Sequence, residues 1–151
     1  MISLDSSTTH TGYALWDDGE LTNTGLLQYT GSNIDIRFTD MCRAIIHLLD
    51  STKPNIIYIE ETVVARNVQV QRYLTRLQGV IYAWALMNGA EFVTIRPTEW
   101  RKLVGITGKH KRAELKVMAV SMVENLYNIR PQSDDEAEAI LIGQAAINKY
   151  N

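Results

Sequence analysis

The sequence predicts an α/β fold built on a mixed sheet, and two observations carry that prediction. Residues 2–5, 12–16 and 21–29 are strand-like runs in direct succession, the first two joined by a hydroxyl-rich turn from Ser6 to Thr11, which predicts an antiparallel meander. A continuous apolar run at 55–60 then follows a helix-like segment. A helix between strands implies a right-handed crossover and parallel pairing, most simply with the first strand.

The remaining elements follow in order. Apolar side chains at Ile36, Phe38, Met41, Ile45, Leu48 and Leu49 predict a helix over 35–51 that ends at Lys53-Pro54. A long amphipathic helix is expected from Asn67 to Met87, with Val70, Tyr73, Leu74, Leu77, Val80, Ile81 and Trp84 recurring at threes and fours. Glu91 to Ile95 reads as another strand, and Pro97 suits the start of a short helix through Leu103. A glycine-rich basic loop from Gly105 to Lys111 precedes a helix over Arg112–Tyr127, and Pro131 breaks the chain before a last helix from about Asp134 to Lys149.

With 151 residues and 46% hydrophobic content, the chain has the length for one domain with a real core, over 1–151. No repeats or linker-like tracts divide it, and no charged n-region or long apolar segment suggests secretion or a membrane span, so a soluble, cytoplasmic protein is expected. The single cysteine, Cys42, lies among apolar residues at helical spacing and reads as a core thiol.

Four carboxylates stand out: Asp5 in LDSSTTHTGYALW, Glu60 in NIIYIEETVVARN, and Asp135 with Glu138 in SDDEAEAILIG. The first two end apolar, strand-like runs, where a lone charge is costly unless something binds it. The other two are three residues apart on a predicted helix and share a face. Brought together, they form an oxygen-rich pocket suited to Mg²⁺ or Mn²⁺. Each also has a plain structural explanation: Asp5 as a turn former, Glu60 or Glu61 as a solvated strand end, and Ser133 to Glu136 as a capping box. Glu138, a turn inside its helix among alanines and aliphatics, is the hardest to explain that way.

The net charge of -2 conceals a segregated distribution. Between Arg96 and Lys116 lie Arg96, Arg101, Lys102, Lys109, Lys111, Arg112 and Lys116, against Glu99 and Glu114 alone. Arg66, Arg72 and Arg76 form a second basic set with no acid among them. Both sets directly follow acidic motif segments, so phosphates would be held beside the acidic pocket.

Asp5 with Thr11-Gly12-Tyr13, Ile59-Glu60 through Ala65-Arg66-Asn67, Val104-Gly105-Ile106, Lys111, and Asp135 to Ala139 together resemble the RuvC family of Holliday junction resolvases, and most of all its phage-encoded members. The resemblance implies a ribonuclease H-like fold, with a mixed five-stranded sheet flanked by helices, and a homodimer that cuts branched DNA in the host cytoplasm. It places catalysis and metal binding on Asp5, Glu60, Asp135 and Glu138, and DNA contact or catalytic support on Lys111. The chain departs from the pattern in its last acid, usually Asp and here Glu138. It also carries Val63 where bacterial members place an aromatic wedge, which implies weaker sequence preference. Counting from Pro131-Gln132 would select Asp134, whereas helical phase from Glu138 selects Asp135.

Phosphodiester hydrolysis needs an activated water and a stabilised leaving oxygen, and two metals about 3.5 to 4 Å apart supply both. Asp5 is the expected bridging ligand, with Glu60 and Asp135 each holding one Mg²⁺ and Glu138 completing a shell or orienting water. Mn²⁺ is expected to substitute, and no small-molecule cofactor or membrane partner is expected. Arg66, Arg72, Arg76, Lys109, Lys111 and Arg112 would hold phosphates, and Val63 would press on unstacked bases. His110 is a candidate for positioning water or protonating the leaving group, although a phosphate contact is the commoner role for a histidine in a basic loop. Tyr73, Leu77, Ile81 and Trp84 make the long helix a candidate dimer interface, with ordinary core as the equal alternative. Two other functions compete. The segment from Asp5 to Gly12 resembles the first phosphate loop of actin-like ATPases and sugar kinases, and a catalytically inactive junction-binding protein would keep the same surface.

Overall fold

The computed structural model describes residues 1–62 and 67–150. Five strands form one sheet in the order β3-β2-β1-β4-β5, with β1 at Ile2–Ser6, β2 at His10–Asp17, β3 at Glu20–Gln28, β4 at Ile56–Glu60 and β5 at Glu91–Ile95. The expected meander is present: β1 and β2 pair antiparallel, as do β2 and β3. Asp18 and Gly19, both at positive φ, form the tight link between β2 and β3, where a two-residue hairpin needs residues that tolerate that conformation. The crossover also behaves as expected, since β4 lies parallel to β1 with Leu4 opposite Ile59. One position further along, Asp5 and Glu60 stand at the carboxyl ends of neighbouring strands.

Alternation along the strands divides the sheet into two faces. Ile2, Leu4, Ile57 and Ile59 point to one side and pack against α1 (Ile34–Thr52) and α2 (Val68–Asn88). The other side, which carries Ala14, Trp16 and Tyr58, is covered by α3 (Pro97–Leu103), α4 (Arg112–Tyr127) and α5 (Asp134–Tyr150). The result is a three-layer α/β/α sandwich with an apolar core on each side of the sheet. Helix ends follow their local chemistry. Asn33 and Asn67 accept the first free N–H groups of α1 and α2, and Gly89 ends α2 in the left-handed conformation.

The α2 stripe resolves as core. Leu77, Ile81 and Trp84 are buried in the core that α2 closes with α1 and the sheet, and Tyr73 is buried against Phe38 of α1; that correction removes them as an interface. The apolar side chains that α2 leaves exposed are instead Val68, Val70, Tyr82, Leu86 and Met87. Cys42 is half-buried beside the same core, and burial raises its thiol pKa.

Candidate active site

The carboxyl ends of β1 and β4 open into a pocket of about 760 Å³ lined by Asp5, Glu60, Asp135 and Glu138 with Arg101, Arg112 and Lys116. How α5 reaches the sheet explains the convergence. Gly12 pairs with Asp5 across β1 and β2, and a Cβ there would lie 2.0 Å from the Asp135 carbonyl oxygen. Only a residue without a side chain lets the start of α5 rest on β2. Further along α5, Gly143 plays the same part, because a Cβ there would lie 2.2 Å from the Trp16 indole nitrogen. Trp16 Nε1 donates to Ser3 Oγ at 3.0 Å, and Ser3 Oγ donates to the Ala139 carbonyl at 2.7 Å. This buried relay ties α5 to β1 next to Glu138.

Asp5 is the electrostatic centre of the group. Desolvation lifts its pKa well above the ordinary 3.8, and Glu138, Glu60 and Asp135 add to the lift. Among these neighbours the Glu138 carboxyl is the strongest source of repulsion. Burial also raises Asp135, with Asp134 adding repulsion while Lys116 and His10 oppose it. Glu60 is raised by burial, offset mainly by a hydrogen bond from Trp100. That bond is short, with Trp100 Nε1 donating to Glu60 Oε2 at 2.6 Å, and the Gln78 side chain donates to the Glu60 backbone carbonyl at 2.7 Å. Glu60 is therefore gripped at both carboxylate and backbone.

Asp134 and Glu61 also line the pocket, but each is paired with a cation. Asp134 is taken by an ion pair with Lys116 on α4, while Asp135 feels the field of Asp5 and Glu138. Glu61 pairs with Arg96, at 3.2 Å, and Arg96 lines the pocket as well. The capping box at α5 forms by half: Ser133 Oγ accepts from Glu136 N–H, but the Glu136 carboxylate accepts from Gln132 N–H and Thr24 rather than from Ser133 N–H.

Of the predicted DNA-contacting residues, Arg112 lines the pocket, and its charge lowers the Glu60 pKa. Lys109 and Lys111 are exposed on the loop before α4 and lie outside the pocket lining, as do Arg72 and Arg76 on α2, the latter over the Tyr73 ring. Val63 and Arg66 lie outside the described residues. His110 lies with Nε2 2.8 Å from the Thr107 carbonyl oxygen and does not line the pocket. Trp100, Arg101, Lys116 and Gln78 were not singled out by the sequence, in which Arg101 and Lys116 stood only as members of a basic set. The first two had a signal: β5 pairs Ile95 with Glu60, so the helix that follows β5 must pass over Glu60.

Among the described residues, no group of three or more His, Cys, Asp or Glu forms a ready-made metal cage. The donor set nevertheless fits a hard divalent cation, since it is all carboxylate, its members repel one another, and it opens to a pocket. A mixed five-stranded sheet between two helical layers, with Asp5 and Glu60 at strand ends and Asp135 and Glu138 brought to them by α5, places the chain in the ribonuclease H-like fold class.

Comparison with known proteins agrees. Residues 1–145 match the family described as Crossover junction endodeoxyribonuclease RuvC, and the chain belongs to that family of Holliday junction resolvases. A crossover junction endodeoxyribonuclease RuvC of Campylobacter hominis is 26% identical, over 96% of this chain and 94% of that protein. The fold matches Thermus thermophilus RuvC in complex with a Holliday junction substrate at a TM-score of 0.78 and 14% identity, over 99% of this chain and 94% of the other. It also matches the Fowlpox virus resolvase in complex with Holliday junction DNA at a TM-score of 0.68 and 12% identity, over 99% and 97% of the two chains. Family membership implies dependence on a divalent metal and sets aside the kinase-like alternative.

Proposed function

We propose that this chain cleaves branched DNA, such as Holliday junctions and forks, by metal-dependent phosphodiester hydrolysis at a site made of Asp5, Glu60, Asp135 and Glu138. One observation carries the assignment: Asp5 is desolvated amid three other carboxylates at the carboxyl ends of two parallel strands. Isolated charges are not left in such surroundings unless a cation compensates them. Mg²⁺, with Mn²⁺ as a substitute, suits oxygen donors shared with phosphate and water, and two such ions would activate a water and stabilise the leaving oxygen.

The chain's own residues divide the remaining work. Asp5 stands between the other acids and would bridge, Glu60 and Asp135 would each hold one side, and Glu138 would complete the shell. Trp100 and Gln78 keep Glu60 from rotating away. Arg112 stands on the pocket wall beside the acids, where it can hold a phosphate, while Lys109, Lys111, Arg72 and Arg76 extend phosphate contacts outward. Val63, in place of the family's aromatic wedge, would press on unstacked bases, and Arg66 would hold a phosphate with the rest of its basic set.

A junction cut symmetrically on two strands needs two equivalent sites, which a homodimer provides. The exposed side chains of Tyr82, Leu86 and Met87 make α2 the candidate surface for that dimer. No helix among the described residues is long and apolar enough to cross a membrane.

The test uses labelled linear, forked and four-way DNA with and without Mg²⁺. Cleavage of branched forms in Mg²⁺ alone is expected, and Asp5→Asn should lower it on the order of 10³-fold or more while binding survives. Unchanged cleavage by the variant would remove the assignment, and binding without any cleavage by the native chain would favour the inactive junction binder. Replacing Lys109, Lys111 and Arg112 together with Ala should weaken binding and flatten its salt dependence.

A further inference from the structure

We propose that Arg101 is the internal counter-cation of the acidic pocket, holding Glu60 and Glu138 while no metal is bound and competing with the divalent ion for the same two carboxylates. This role rests on the metal-dependent function proposed above and gives Arg101, which the sequence shows only as one of a set of phosphate-holding cations, a part of its own at the acids.

The placement of Arg101 is specific, yet its bonding is poor. Its Nη2 lies 3.5 Å from Glu138 Oε1 and 4.0 Å from Glu60 Oε2, with the three side chains 20%, 12% and 21% exposed. Charge-assisted N–H···O bonds are normally about 2.7–2.9 Å long, so the guanidinium is held by the field of the acids more than by hydrogen bonds. Its Nε is buried and has no hydrogen-bond partner. A guanidinium offers five donors in a rigid fork, so a buried donor left unpaired marks a group that belongs to this position by charge and not by shape.

What keeps Arg101 near is the neighbouring residue on α3. Its guanidinium carbon lies 4.7 Å from the centroid of the Trp100 ring, and Trp100 is itself fastened to Glu60 Oε2. The short helix thus presents two groups to one glutamate: a fixed donor that sets its orientation and a loosely held cation that balances its charge. The acids of this pocket need a nearby positive charge, because the three carboxylates around a desolvated Asp5 repel it. A divalent ion drawn to Glu60 and Glu138 takes over the negative charge that holds Arg101 and repels the guanidinium. When they turn to metal, Arg101 is released on its tryptophan perch into a pocket that already holds Arg112 and Lys116, where its fork suits a phosphate.

Calorimetric titration with Mn²⁺ alone, on the native chain and on Arg101→Met, tests this directly. The variant should bind Mn²⁺ at least about fivefold more tightly, within the usual range of coupling between two ligands of one site. Its urea midpoint without metal should fall below that of the native chain, and saturating Mn²⁺ should close the gap. Equal or weaker Mn²⁺ binding by the variant overturns the proposal, including the case in which only junction affinity falls and Arg101 is a phosphate contact alone. The native chain supplies a second readout that needs no variant. The Arg101 Nε–H resonance should exchange slowly with water before Mg²⁺ is added and rapidly afterwards, and an unchanged rate at saturating Mg²⁺ overturns the proposal. A native chain that binds no Mn²⁺ would instead remove the metal-dependent function, and the counter-cation with it.

Discussion

On the α1 and α2 side of the sheet, β1 and β4 present Ile2, Leu4, Ile57 and Ile59, all fully buried in an aliphatic core. On the α5 side the same strands present Ser3, Asp5, Tyr58 and Glu60, and the acids stand where the strands end. A shift of one residue in either strand would exchange the two sets. The first face therefore does more than stabilise: its aliphatic side chains lock the register that brings Asp5 beside Glu60. The second face gives up stability to concentrate charge, since burial raises the pKa of Asp5, Glu60 and Asp135 alike.

The largest effect on stability is expected from breaking the aliphatic face. Ile57→Ala removes a fully buried side chain and should cost about 2–5 kcal/mol, read from urea midpoints, while cleavage per folded molecule is unchanged. A loss of cleavage beyond the unfolded fraction would show that the two faces are not separable.

Gly12→Ala strikes where the faces are joined. Its new methyl would collide with the Asp135 carbonyl, so α5 must shift, at a cost of about 1–3 kcal/mol. The shift carries Asp135 and Glu138 with it. Cleavage per folded molecule should therefore fall far more than in Ile57→Ala, and equal effects in the two variants would contradict the close approach of α5 to β2.

The smallest and most diagnostic effect concerns Asp5 without metal. Its folded pKa lies above the ordinary value, so the stability it contributes is complete at pH below that value and is lost as pH rises through the raised one. Asp5→Asn should accordingly match the native chain near the acid end and exceed it in stability at neutral pH, in metal-free urea melts. A variant less stable than the native chain at neutral pH would mean that Asp5 supports the fold and is not strained by it. Divalent metal should raise the native midpoint and leave the variant's nearly unmoved.

Most of the fold was legible in the chain. The meander, the crossover and every helix fall within a few residues of the segments marked by periodicity, Pro54, Pro97 and Pro131, because backbone preferences and amphipathic patterns act over short distances. Asp135 was preferred to Asp134 on helical phase, and the structure places Asp134 on Lys116 and Asp135 in the field of Asp5. The exposed Arg72, Lys109 and Lys111 were legible only as charge, since nothing in a sequence says which cations share a pocket with the acids.

What the sequence determined by itself was the list of strands and helices and the four acids, because both are set by residue type and local spacing. Tertiary structure alone decided that Tyr73, Leu77, Ile81 and Trp84 would be core and that Gly12 would admit α5. It also decided that Trp100 and Arg101 would meet Glu60 from 40 and 41 positions away in the chain. Each of those outcomes depends on which helix lies over which strand, and only packing across the whole sheet settles that.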